Sequence, residues 1–186
     1  MSSTLILDAR VTGYAGERTR LVATCDVATG RVYISAEKPF VPPKTEKSLL
    51  QKLKEKRARA RTLIITDSAD GLDKWDLLYK ESEHLGEVIR CYNDKSKNNL
   101  LLMDSKVQGR FNPDGVLQQR RLDPKNGAVY ELSADETNNG HICILLICWA
   151  ATRGASNFMF AHQLQQSDSR LEYEPDSSDL DEPFTI

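Results

Sequence analysis

The chain has 186 residues, of which 40% are hydrophobic and 28% charged, and its formal net charge is −2. This composition is typical of a soluble globular protein, and the length suits one domain with a sizeable core. The longest apolar run, residues 142–151, is too short to span a bilayer, so no membrane association is expected. The four cysteines lack the close pairs of a zinc site and no signal-peptide pattern is evident, which predicts an intracellular location, cytoplasmic or nuclear.

Acidic residues concentrate at one end of the sequence. Residues 167–186 contain seven carboxylates and one base, which leaves 24 Lys and Arg against 20 Asp and Glu in residues 1–166. We therefore expect a folded domain over residues 1–166 and a disordered acidic C-terminal tail over residues 167–186. Such a tail either competes intramolecularly for a basic surface or keeps the protein soluble, and the sequence favours the second role.

Three short segments near the N-terminus have the composition of β-strands. Residues 4–8 form an apolar run that ends in Asp8, and residues 20–26 follow a glycine-containing loop. Residues 31–35 come directly after a tight turn at Gly30. The simplest arrangement of the three is an antiparallel meander.

A strongly basic helix is predicted over residues 44–61. Thr45 is the expected N-cap, and three leucines, Leu49, Leu50 and Leu53, form an apolar stripe. The rest of the helix surface carries six candidate nucleic-acid-binding side chains: Lys52, Lys54, Lys56, Arg57, Arg59 and Arg61. This density of charge suits phosphate binding, although an ordinary solvated helix face has the same pattern.

A buried strand is predicted at residues 62–65, a β-branched apolar run that leads into Asp67 and Ser68. A carboxylate at the C-terminal end of a central strand lies where α/β sheets place their chemistry. The simpler interpretation is that Asp67 or Ser68 caps the next helix.

The remaining elements are predicted from shorter patterns. We expect a helix over 71–84, a strand over 87–92, a helix beginning within 100–107, a mobile basic loop over 109–127, a strand over 129–132, and a buried helix or strand over 141–152. The histidines, His84, His141 and His162, are interpreted as packing or surface residues.

With this order of elements, the chain resembles the ribonuclease H-like superfamily, which includes ribonucleases H and the catalytic cores of retroviral integrases and transposases. The resemblance covers roughly residues 4–110 and is carried by three motifs: Leu5-Ile-Leu-Asp8-Ala9, Lys44-Thr-Glu46-Lys-Ser-Leu-Leu50 and Leu63-Ile-Ile-Thr-Asp67-Ser68. It implies an α/β fold with a mixed sheet, in which a three-stranded antiparallel meander is followed by helix–strand–helix–strand units.

The resemblance also implies a metal site built from Asp8, Glu46 and Asp67. Hard cations such as Mg²⁺ or Mn²⁺ take oxygen ligands, and two such ions can activate the attacking oxygen and stabilise the leaving oxygen of a phosphodiester. These carboxylates would be both metal ligands and catalytic residues.

The identity of the last carboxylate stays open. An integrase-like arrangement implies Asp104, which follows Asp67 by 37 positions, whereas a ribonuclease H-like arrangement implies Asp135 or Glu136. Arg10 stands where a retroelement ribonuclease H usually has a small residue, and no counterpart of the family's late histidine loop is found. These departures leave room for a catalytically inactive domain.

Three functional hypotheses follow. The first is a Mg²⁺-dependent nuclease or strand transferase acting on DNA or an RNA–DNA hybrid. The second is a non-catalytic nucleic-acid- or protein-binding domain, domesticated or viral, on the same scaffold. The third interprets Asp67 to Asp70 as a metal-binding turn of the topoisomerase–primase type. That motif usually has aspartates two positions apart, whereas these are three apart. A homodimer is compatible with each.

Overall fold

The computed structural model describes residues 4–40, 46–72, 76–125 and 127–154. Within these ranges the elements, in chain order, are β1 (Thr4–Val11), β2 (Thr19–Asp26), β3 (Val32–Lys38), α1 (Leu49–Arg59), β4 (Thr62–Thr66), β5 (Leu77–Leu78), α2 (Glu81–Lys97), β6 (Leu101–Met103), α3 (Ser105–Phe111), β7 (Leu117–Asp123), β8 (Gly127–Leu132) and α4 (Asn139–Trp149). A 3₁₀ turn, Pro113–Gly115, precedes β7, and a π-helical turn, Ala150–Gly154, follows α4.

The fold is mixed α/β and is built on one mixed sheet of six strands, in the order β5-β4-β1-β2-β3-β6. Strands β1, β2 and β3 form the predicted antiparallel meander, and β4 lies parallel to β1 on its other side. β5 and β6 extend the two edges as parallel neighbours of β4 and β3. β7 and β8 form a separate antiparallel hairpin.

The hydrophobic core lies between one face of the sheet and helices α2 and α4. Alternate residues of β1 point into it, among them Leu5, Leu7 and Ala9, because successive side chains of a strand point to opposite faces. Every residue of α4 is buried, so its sequence shows no amphipathic period and the sequence alone leaves helix or strand open. The helix is specified at its N-terminus, where Asn138 and His141 form a reciprocal capping box.

The opposite face of the sheet is more open. Thr24, Tyr33 and Ser35 are exposed on β2 and β3, whereas their sequence neighbours in the core face are buried. None of the helices in the described ranges combines the length and the apolar character that a membrane crossing requires.

The predicted helix over 71–84 and the predicted strand over 87–92 are wrong. Leu77 and Leu78 pair with β4 as the edge strand β5, and α2 begins only after Lys80. Buried positions 88, 89, 91, 92 and 95 then recur at helical spacing, which the short apolar run at 87–92 concealed. Gly71 has φ +70° in the turn after β4, a left-handed conformation that is incompatible with the predicted start of a helix at this residue.

Other boundaries also differ from the expectation. α1 begins at a capping box between Ser48 and Gln51; Thr45, the predicted cap, lies outside the described residues. Residues 100–107 divide between β6 and α3, and the predicted loop over 109–127 contains the end of α3, the 3₁₀ turn and β7. The strand predicted over 129–132 is confirmed as part of β8. The acidic tail and its boundary at residue 166 lie outside the described ranges.

Candidate functional site

The candidate site lies where β1 and β4 run side by side. Asp8 pairs in register with Ile64, and Arg10 pairs with Thr66. Asp8 and Arg10 are two residues apart on one strand, so both side chains project from the open face of the sheet. Leu7 and Ala9 point to the opposite, core face.

The Asp8 carboxylate is held by two arginines. The Arg20 guanidinium donates from Nε to Oδ1 and from Nη2 to Oδ2, each at 2.9 Å, and Arg10 Nη2 donates to Oδ2 at 3.0 Å. Asp8 is only 3% exposed. Burial alone would raise the pKa of Asp8, but the hydrogen bonds and charges of Arg20 and Arg10 outweigh it and hold the pKa below its usual range.

Asp67 accepts hydrogen bonds from the loop after β1 and pairs with no charged side chain among the described residues. It follows the last residue of β4 and accepts hydrogen bonds from the Gly13 amide at 2.7 Å, the Thr12 amide at 3.1 Å and the Thr12 hydroxyl at 3.2 Å. A Cβ on residue 13 would lie 2.8 Å from Asp67 Oδ2, so a larger residue there would push the carboxylate away from the amide of residue 13. Asp67 thereby fixes the loop that follows β1.

The same loop is anchored from the other side by α4. Asn139, 1% exposed, accepts from the Tyr14 amide at 2.8 Å and donates to the carbonyl of Glu17 at 3.0 Å. The hydroxyls of Tyr14 and Tyr79 lie 3.0 Å apart. Burial raises the pKa of both phenols, that of Tyr79 to about 12, so both stay protonated at neutral pH.

The structure does not bring the other predicted carboxylates to Asp8. Glu46 is exposed, two residues before the cap of α1. Asp104 caps α3 by accepting a hydrogen bond from the Lys106 amide. It directly follows β6, which is three strand spacings, or about 14 Å, from β1. Asp135 and Glu136 are exposed before α4.

These residues do not fit a two-metal site. In the part of the chain that the structure describes, no group of three or more His, Cys, Asp or Glu side chains is placed to hold a metal ion. Both oxygens of Asp8 already accept from guanidinium groups, and a neighbouring positive charge opposes a divalent cation. Mg²⁺ or Mn²⁺ binding stays a prediction that this geometry does not favour.

A cleft of about 500 Å³ opens beside the arginines. Its lining combines two guanidiniums and an aromatic ring, Arg10, Arg18 and Phe40, with the hydroxyls of three residues, Thr12, Thr66 and Ser68. The guanidinium carbon of Arg18 lies 5.9 Å from the centre of the Phe40 ring. One carboxylate, Asp70, also lines the cleft.

Sequence reasoning missed the cleft and the two arginines that hold Asp8. One signal was available: Asp8 and Arg10 are two residues apart on a predicted strand, so they share a face. The role of Arg20 was not visible, because it depends on the register that places Arg20 opposite Arg10 on the neighbouring strand.

Helix α1 supplies a second basic surface. Lys52, Lys54, Lys56 and Arg57 are exposed, and no ion pair involves them within the described ranges. Arg59 differs from them, since it donates to the carbonyl of Thr62 and to the buried carboxylate of Asp76, both at 2.7 Å. Arg61 is exposed in the turn before β4.

Comparison with protein-family models, with curated proteins and with solved structures finds no match for this chain.

Proposed function

We propose that the chain is a non-catalytic nucleic-acid-binding domain on a ribonuclease H-like scaffold. The observation that carries this proposal is the pairing of Asp8 with Arg10 and Arg20. Asp8 is the position where the resemblance implies a first metal ligand. Its carboxylate pairs with two guanidiniums, so the three side chains together carry one net positive charge. Such a centre suits a phosphate better than a divalent cation.

The scaffold is supported by strand order. The meander of β1, β2 and β3, with β4 parallel to β1, agrees with what the resemblance implies. Asp8 on β1 and Asp67 after β4 also lie on neighbouring strands, although their side chains serve different partners.

The interface has two parts. In the cleft, Arg10 and Arg18 can contact phosphates, and the Phe40 ring offers a stacking surface for an unpaired base. α1 then adds lysines that form no ion pair within the described ranges and that can contact phosphate oxygens without reading sequence. This combination favours single strands over duplexes, because the bases of a duplex are not free to stack on a side chain.

We also propose an intracellular location for this chain. All four cysteines are buried free thiols, which suits a reducing compartment. The cytoplasm or nucleus is also where nucleic acid is available to such a domain.

The test is fluorescence anisotropy with labelled single-stranded DNA, single-stranded RNA, duplex DNA and RNA–DNA hybrid, each in EDTA and in Mg²⁺. We expect binding in EDTA that weakens steeply between about 50 and 200 mM salt. We expect no cleavage in Mg²⁺ or Mn²⁺. Metal-dependent cleavage that Asp67→Asn abolishes would restore the nuclease hypothesis, and absence of binding in every condition would refute both.

The variant Lys52→Ala with Lys54→Ala and Lys56→Ala tests the role of α1. Each phosphate contact on a single strand contributes about 0.7 to the slope of log affinity against log salt, so the slope should lose up to about 2. The matched control removes exposed bases on α2, Arg90→Ala with Lys97→Ala, and should leave the slope unchanged. The control removes two positive charges and the test variant three, so an equal loss per charge removed would show that only net charge matters.

A further inference from the structure

Helix α1 presents an apolar stripe that no described residue covers. Leu49 is 77% exposed, Leu50 63% and Leu53 48%, and no residue of the helix is buried. The helix is attached at its C-terminal end, where Arg59 bonds to Thr62 and Asp76. Three adjacent leucines on an ordered helix indicate a surface that has a partner.

The partner must tolerate strong positive charge. From Glu46 to Arg61 the chain carries seven Lys and Arg side chains against two carboxylates. One carboxylate, Glu55, is already paired with Lys47 at 2.7 Å. A segment that covers the leucines therefore needs apolar side chains interspersed with acids.

We infer that residues 168–184 of the same chain dock on this face of α1. This segment has seven carboxylates and one base, and its acids alternate with four large apolar side chains, Leu171, Tyr173, Leu180 and Phe184. Its carboxylates complement the lysines of α1, and its apolar side chains complement the leucines. A tail that served only to keep the protein soluble would not need the apolar side chains.

The segment between the end of the described domain, at Gly154, and residue 168 is long enough to reach α1. The turn Ala150–Gly154 packs against β4, the strand that directly follows α1, and β4 is about 17 Å long. The 13 residues from 155 to 167 can reach about 43 Å when extended. The 11 residues of α1 span about 16 Å, so the whole stripe is within reach.

Other occupants fit less well. A second copy that paired α1 with α1 would bring the lysines of both helices together, and like charges in close apposition oppose binding. A nucleic acid would neutralise the lysines but leave the leucines exposed to water.

Docking has a consequence that rests on the proposed function: residues 168–184 would compete with nucleic acid for the lysines of α1. A tethered segment acts at an effective concentration of about 1 mM. With an intrinsic Kd of about 0.1 mM, it would weaken nucleic-acid binding roughly tenfold.

The direct test is intramolecular energy transfer in the full chain between dyes on Ala58→Cys, an exposed position of α1, and Ser178→Cys. The four natural cysteines are buried, so the engineered thiols are labelled selectively. We expect high transfer at low salt that falls in high salt, and a similar fall when Leu50→Ser and Leu53→Ser remove the stripe. A matched pair, Ala58→Cys with Gln118→Cys on β7, should not respond and reports that the domain stays folded.

The charge contribution is tested by replacing the seven acids of residues 168–182 with their amides. Transfer should fall, and affinity for single-stranded DNA should rise about tenfold, whereas the control Glu83→Gln with Asp94→Asn on α2 should change neither. Transfer that is low at all salt concentrations overturns the docking, and transfer between singly labelled chains assigns the stripe to a second copy instead. Salt-sensitive transfer without any DNA binding leaves the docking intact and refutes the proposed function.

Discussion

The Arg20 guanidinium forms a bidentate pair with the Asp8 carboxylate, with Nε and Nη2 each 2.9 Å from a different carboxylate oxygen. The contact joins β1 to β2 across the open face of the sheet, and the carboxylate is almost entirely removed from water. A carboxylate placed in this way is a structural anchor for the arginines around it, and the stability of the domain should depend on it.

Arg20→Met should therefore destabilise the domain by about 3 kcal/mol, because it leaves a buried charge with only one partner. The double variant Asp8→Leu with Arg20→Met should recover most of this loss, since it removes both charges together. Urea denaturation of the single and double variants measures the coupling. Arg110→Ala, which breaks the exposed pair with Glu37, is the control and should cost less than about 1 kcal/mol. A double variant less stable than Arg20→Met would contradict the pairing.

The lowered pKa of Asp8 gives the stability a defined pH dependence. Because its folded pKa lies below the unfolded value of about 4, the stabilisation is complete above that pH and is lost as pH falls through the folded pKa. The free energy of unfolding should fall steeply below about pH 4, and Asp8→Asn should flatten that part of the curve. An unchanged acid limb in the variant would show that other carboxylates cause it.

His141 should act in a higher pH range. Burial lowers the pKa of His141, so as pH falls below about 6.5 the unfolded chain takes up its proton first and stability decreases. The protonated ring also loses Nδ1 as an acceptor for the Asn138 amide, which opens the capping box of α4. His141→Gln keeps an acceptor and removes the titration, so its stability between pH 7 and about 5 should be nearly constant. A slope equal to that of the unmodified chain would exclude His141 as the cause.

Asp67→Asn separates a structural role from a metal-binding role. An amide offers one acceptor oxygen in place of two, so the donors at Thr12 and Gly13 cannot all be satisfied, and we expect a loss of about 1–2 kcal/mol. Hydrogen exchange should accelerate at the amides of residues 12 and 13. Added Mg²⁺ should not change the melting temperature of either form. A Mg²⁺-dependent rise in the unmodified chain alone would instead favour the carboxylate as a metal ligand.

Two glycines provide a matched test of helix packing. A Cβ at Gly140 in α4 would lie 2.1 Å from the Phe111 ring, so Gly140→Ala should cost about 1–3 kcal/mol through overpacking. A Cβ at Gly86 in α2 meets no atom within 4 Å, and Gly86→Ala should stabilise by about 0.5–1 kcal/mol through helix propensity. Thermal denaturation of both variants distinguishes them. Equal effects would mean that the Phe111 ring of α3 does not lie against Gly140 of α4.

Much of the sheet could be predicted because its signals are local. The predicted segments 4–8, 20–26, 31–35 and 62–65 fall on strands apart from Arg31, which lies one residue before β3. Apolar runs and turn residues act within a few positions. The start of α2 could not be predicted in this way. It depends on the pairing of Leu77 and Leu78 with β4, a contact between separate parts of the chain.

The sequence by itself determined the meander, the basic helix and the position of Asp8 and Arg10 on one face of a strand. Only the tertiary structure decided that Asp8 binds Arg20 and that Asp67 binds the loop after β1 instead of sharing a site with Asp8. The physical reason is that a residue's direction along its own strand follows from local backbone geometry, whereas its partner follows from strand register and loop conformation. Those are set by the packing of the whole domain.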